Sequence, residues 1–142
     1  MVDQKKCIDV VCKHWESRRE DLDLLFRLYH GEEVGENENS EGYDEDSLFE
    51  YGLSFDYVAP GTFADQDEGY WRYQISWGGP SEEIRFYSSS PTSNPYKVEF
   101  WFLDWGDGAK KHIKGDEVAT MLWEFFSETG TTEAEYTKAM EE

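Results

Sequence analysis

Carboxylates dominate the side chains of this sequence that could do chemistry: 32 Asp and Glu stand against 13 Lys and Arg, a formal charge of -19. Acid–base dyads can be drawn among so many acids, and for that reason none stands out. A glycosidase-type pair needs a fixed separation across a cleft, which spacing along a chain does not supply. His14, His30 and His112 have no second ligand at metal spacing and read as surface or capping residues. Cys7 and Cys12 form no CxxC pair and read as reduced, small core thiols. Asp104, Asp107, Asp116 and Glu117 raise a calcium site, but DWGDGAKKHIKGDE (104–117) misses the register of an EF-hand loop. Gly78-Gly79-Pro80-Ser81 is glycine-rich, yet a strand pattern follows it. The helix N-terminus that would cradle a phosphate is missing, and a hairpin turn is the reading. Nothing here calls for a cofactor or a metal, and the expectation is a binder rather than an enzyme.

Aromatic residues make up 17% of the chain, enough to build a core with few aliphatics and to argue against disorder despite the charge. Trp71, Tyr73, Trp77, Phe86, Tyr96, Phe100, Trp101 and Trp105 exceed what one sheet face holds, which puts Trp101 and Trp105 on the opposite face. With Arg72 and Arg85 nearby, they could stack on a base or nucleotide. The competing reading is a core plus a small second cluster under the N-terminal helix.

The acids fall in blocks. Between Arg27 and Arg72 there is no Lys or Arg, while thirteen carboxylates occur there. From Asp116 onward there are eight more against Lys138 alone. Blocks of one sign make a directional field, whereas mixed charges cancel. Such a surface repels nucleic acid and anionic membrane and attracts basic protein grooves. Outward carboxylates on alternate strand residues lie about 6.6 Å apart and i,i+4 carboxylates on a helix about 6 Å, close to the spacing of successive phosphates. A solvated acidic skin is the plainer reading of the same residues.

The elements that must carry these groups follow from periodicity. Ile8, Val11, Cys12 and Trp15, then Leu22, Leu25, Phe26 and Tyr29, predict helix over residues 3–30, with Ser17 as a break or cap and Gly31 as its end. Residues 31–47 form an acidic loop, too long for a simple connection and suited to a functional or mobile segment. Period-two patterning predicts strands over 49–57, 70–77, 84–88 and 96–102, with 109–114 a short edge strand. Asp116 caps a helix striped by Val118, Met121, Leu122, Phe125 and Phe126. Gly130 ends it, and Thr131 or Thr132 caps a last acidic helix. The fold class is α+β, one domain over 1–142: an antiparallel four- to five-stranded meander packed by an N-terminal helical segment and C-terminal helices. MVDQKKCIDV has no apolar run of signal-peptide length and no stretch reaches membrane-span length, so the expected compartment is cytoplasmic.

The run YWRYQISWGGPSEEIRFY (70–87), then YKVEFWFLDWGDGA (96–109), resembles an uncharacterised family of small acidic proteins carried by phages, plasmids and other mobile elements. YGLSFDYVAPGTF (51–63) and LWEFF (122–126) are similar too. The resemblance carries no catalytic residues. It implies, by genre, proteins that blunt host defence, such as anti-CRISPR and anti-restriction inhibitors, some of which act as DNA mimics. The expected partner is therefore a basic surface of a nucleic-acid-binding host defence nuclease or effector complex. The contacts are expected from Glu32, Glu33, Glu36, Glu38, Glu41, Asp44, Glu45, Asp46, Glu50, Asp65, Asp67 and Glu68, from Glu133 and Glu135 on the last helix, and from Trp101 and Trp105. The alternative is a nucleotide or small-molecule sponge or sensor on the aromatic sheet face.

Overall fold

A computed structural model describes residues 6–34, 42–104 and 106–141. The order is α1 (Cys7–Tyr29), α2 (Leu48–Tyr51), β1 (Ser54–Val58), β2 (Tyr70–Ser76), β3 (Ser81–Tyr87), β4 (Lys97–Asp104), β5 (Asp107–His112), α3 (Glu117–Glu128) and α4 (Thr131–Met140). The strands pair in sequence order as an antiparallel meander, so β1 and β5 are its two edges. This is the α+β architecture that the patterning predicts.

Alternation sorts the sheet into two faces. One carries Phe55 and Tyr57, Trp71, Tyr73 and Ile75, Ile84 and Phe86, and Val98, Phe100 and Phe102, and the helices pack here. Helix α1 lies over β4 and β5, and α4 over β1. Trp123 of α3 meets Trp71 edge-on at 5.2 Å and Phe86 at 5.5 Å. Burying each such side chain is worth about 1.5–3 kcal/mol, so this layer is the main source of stability.

Helix α1 runs unbroken through Ser17. Its first turn is held by two carboxylates: Asp9 accepts from the Lys6 amide and Asp107, on β5, from the Cys7 amide at 2.8 Å. Negative charge there also suits the helix dipole. Val11, Trp15, Leu22, Leu25 and Phe26 of the predicted stripe are buried, but Cys7 and Leu24 join them in place of Ile8, Cys12 and Tyr29. Ile8 is therefore exposed, and so is Cys12, which is not a core thiol. Gly31, at φ +79, closes the helix as expected.

Two other departures are Trp77, which falls beyond the end of β2 and is exposed, and residues 48–51, which form a helical turn and not the start of a strand. Leu48 and Tyr51, three apart, both face inward. Phe49 is left 58% exposed, and pairing begins only at Ser54. Asp116 caps α3 by accepting from the Val118 and Ala119 amides. The N-cap of α4 is Gly130 itself, in the left-handed region, in place of Thr131 or Thr132. Thr132 is instead wholly buried. Its carbonyl accepts from the Trp71 indole at 2.9 Å and its hydroxyl donates to the Pro91 carbonyl at 2.8 Å.

Candidate functional site

The topology gathers the acidic blocks at the β1 side of the molecule. Asp44, Glu45, Asp46 and Glu50 lead directly into β1, and all four are exposed. Glu133 and Glu135 stand on α4, whose Tyr136 packs edge-on against Tyr57 of β1 at 4.9 Å. Asp65 and Asp67 belong to the connection from β1 to β2 and are exposed. Glu32 and Glu33 follow α1, whose Tyr29 meets Phe49 of α2 at 5.7 Å. Segments up to about a hundred residues apart thus meet around β1, with the 63–68 loop reaching over the helix-free face toward Arg85 and Lys97. Glu36, Glu38, Glu41 and Trp105 lie outside the described residues.

Most of the basic side chains are engaged by other carboxylates, two of them on the β1 side itself, Asp56 and Glu68. Arg18 pairs with Glu82, Arg19 with Asp116, Arg27 with Asp23, Arg72 with Asp56, Arg85 with Glu83, Lys97 with Glu68 and Lys110 with Glu99. Among the described residues, Glu32, Glu33, Asp44, Glu45, Asp46, Glu50, Asp65, Asp67, Glu133 and Glu135 make no ion pair. Lys110, Lys111 and Lys114 lie on or just after β5, the opposite edge, with Lys6 and Lys13 on the adjoining start of α1. Glu68 differs from its neighbours in the acidic loop. Hydrogen bonds from Lys97 Nζ at 2.9 Å and from the Tyr96 hydroxyl at 2.7 Å hold it below the usual carboxylate range, so it is compensated.

The sheet face without helices is a self-contained polar layer. Cross-strand partners line up as Asp56–Arg72–Arg85–Glu99–His112, and beside them Ser54–Gln74–Glu83–Trp101–Lys110. Trp101 does lie on this second face, away from the acidic edge. The Arg85 guanidinium lies 4.0 Å from the Trp101 ring and 4.8 Å from that of Tyr70, while Nε donates to Glu83 at 2.7 Å. Arg72 is bidentate to Asp56, at 3.1 and 2.7 Å. Both arginines expected to hold a nucleotide are already occupied by carboxylates. Glu99 is 1% exposed. Burial pushes its carboxyl up, but donation from the Trp101 indole and from Lys110 outweighs this and holds it below its ordinary value. The small second cluster that alternation implies is Val58, Tyr70 and Tyr87, and it lies on this face, not under α1.

On the helical face, a buried ion pair crosses from α1 to the sheet. Arg18 donates to Glu82 through Nη2 at 2.6 Å and through Nε, and Ser76 Oγ adds a bond at 3.0 Å. Its Nη1 donates to the Tyr51 hydroxyl, which donates to Asp21 at 2.6 Å. His14 Nδ1 is 3.5 Å from Glu82. Burial would raise the Glu82 pKa, yet the Arg18 hydrogen bonds and charge lower it overall. Sequence reading passed over this cluster, although Glu82 is in phase with Ile84 and Phe86 and that phase marks a core-facing acid.

Among the described residues, three open concavities stand out. One of about 550 Å³ is lined largely by Gly79, Gly106 and Gly108 with Asp104 and Asp107. A second of about 330 Å³ lies between the acidic 63–68 loop and Arg85. A third, apolar and about 270 Å³, opens at the acidic edge between α2, β1 and the end of α3. Among the described residues, no group of three His, Cys, Asp or Glu could hold a metal ion, and no helix is long and apolar enough to cross a membrane. Fold and charge together define a class: an α+β meander with helices on one face and, among the described residues, a set of acids around β1 without ion partners. Protein-family models, curated proteins and solved structures contain no match to the chain.

Proposed function

We propose that this chain is a stoichiometric inhibitor that occupies a basic, nucleic-acid-binding surface of a host defence nuclease or effector complex. Its β1-side carboxylates stand where a phosphate backbone would lie. One observation carries the reading: acids distant in sequence converge on one edge, while the arginines neutralise a different set of carboxylates. Ten described acids without an ion partner are costly in self-repulsion, and a basic groove relieves that repulsion. Grooves that hold DNA are lined with Lys and Arg spaced for a duplex bearing one charge per about 1.7 Å of axis. The mobile-element setting rests on the sequence resemblance, and supports restriction or CRISPR machinery as the target.

The test is phage plating on bacteria with an active restriction or CRISPR system. Expression of the chain raises plating efficiency, and the Glu45→Lys/Glu50→Lys variant loses the protection at equal protein level. Protection that survives the double reversal contradicts the proposal.

A further inference from the structure

The apolar concavity at the acidic edge has walls of unusual exposure. Phe49 is 58% and Leu53 62% exposed, beside half-buried Phe55 stacked on Phe126 at 4.0 Å. Gly52 and Tyr73 complete the wall. At about 270 Å³ the space falls below the ~300 Å³ at which small-molecule sites begin, so one large side chain fits it better than a cofactor does.

Two further observations say what that side chain brings with it. Three of the lining segments carry an exposed acid without an ion partner: Glu50 follows Phe49, Glu128 precedes Thr129, and Glu133 comes two residues after Thr131. The elements that form the pocket therefore carry negative charge, which repels an acidic segment and draws in a basic one. The Tyr73 hydroxyl is the second. Tyr73 is 4% exposed and lines the pocket, and its oxygen lies against the Gly52 backbone without a well-formed hydrogen bond. A buried polar atom left unpaired calls for explanation, and an incoming group with a donor or acceptor would satisfy it.

We infer that the Phe49–Leu53 pocket receives one large apolar side chain, with a polar edge such as that of Trp, from a Lys/Arg-rich segment of the partner. This rests on the proposed function and deepens it: the acidic edge draws the partner in, and the pocket fixes the register. Buried aromatic anchors ringed by polar contacts are where binding energy concentrates.

The probes are two short fluorescein-labelled lysine-rich peptides, identical except for a central Trp or Ser, titrated into the full chain by fluorescence anisotropy. The Trp peptide binds about tenfold or more tightly than the Ser peptide. Leu53→Ser, at an exposed position that leaves the fold intact, removes that difference without changing the Ser peptide's affinity. Amide signals of Gly52 and Thr131 move only with the Trp peptide. Equal affinities for both peptides, or a Trp advantage that persists in Leu53→Ser, overturn the pocket. If Glu45→Lys/Glu50→Lys weakens both peptides while their affinities stay equal, the pocket falls and the acidic edge stands. If that double reversal weakens neither peptide, it is the acidic edge that fails.

Discussion

Replacing Arg18 by Ala removes the cation from a carboxylate that is 4% exposed. Glu82 then keeps only Ser76 Oγ at 3.0 Å and His14 Nδ1 at 3.5 Å. Breaking a buried ion pair at one partner costs about 3–5 kcal/mol. Arg18 is itself 27% exposed, so water enters the vacated space and the cost falls to about 2–4 kcal/mol. For a domain of this size that lowers Tm by about 5–15 °C. The pH dependence has a definite sign. Burial raises the Glu82 carboxyl, but Arg18 outweighs it, and the folded value lies below the ordinary one. The pair's contribution is therefore complete above the ordinary glutamate range, near pH ~4.3, and is lost as pH falls through the lower folded value. In Arg18→Ala only Ser76 and His14 oppose the burial penalty, so protonation relieves it at acid pH. Urea unfolding of both proteins at pH 7 and at about pH 4 measures the gap. A loss under about 0.5 kcal/mol at pH 7, or a gap that does not narrow in acid, refutes the reasoning.

Three other outcomes follow from particular contacts. A Cβ at Gly52 would fall on the Tyr73 ring, so Gly52→Ala costs about 1–3 kcal/mol in urea unfolding; an unchanged midpoint means the ring has room to move. Asp116 both caps α3 and accepts from Arg19 at 2.7 Å, so Asp116→Ala costs about 1–2 kcal/mol while Asp116→Asn, which keeps the cap, costs less; equal losses contradict the capping role. Arg85→Lys cannot reproduce a planar cation 4.0 Å from Trp101 and lowers stability by about 1 kcal/mol, measured by thermal unfolding; a neutral result assigns Arg85 no stacking role.

Much of the fold was legible because alternation is strong where the sheet is packed. Tyr73, Ile75, Ile84, Phe86, Val98 and Phe100 all point as their phase requires. Alternation misled at 49–51, where Leu48 and Tyr51 turn inward at helical spacing and a strand-like pattern is coincidental. Cys12 was misplaced because the α1 stripe follows Cys7, Val11 and Trp15 rather than Ile8 and Cys12. The acidic blocks could be read from composition, but their meeting at one edge could not, since it depends on α4 crossing back over β1. Which cations are spent was also hidden: Arg18 meets Glu82 across 64 positions and Arg19 meets Asp116 across 97.

The central claim is that the β1-side acids compete with nucleic acid for a basic surface. Displacement of labelled duplex DNA from the inhibited nuclease tests it most directly, with Glu45→Lys/Glu50→Lys compared against Glu16→Lys/Glu20→Lys on the solvent face of α1. The two variants carry the same net charge. The chain is expected to displace the DNA, less so at raised salt, and the edge variant to lose displacement while the α1 variant keeps it. Equal loss in both variants, or none in either, contradicts it.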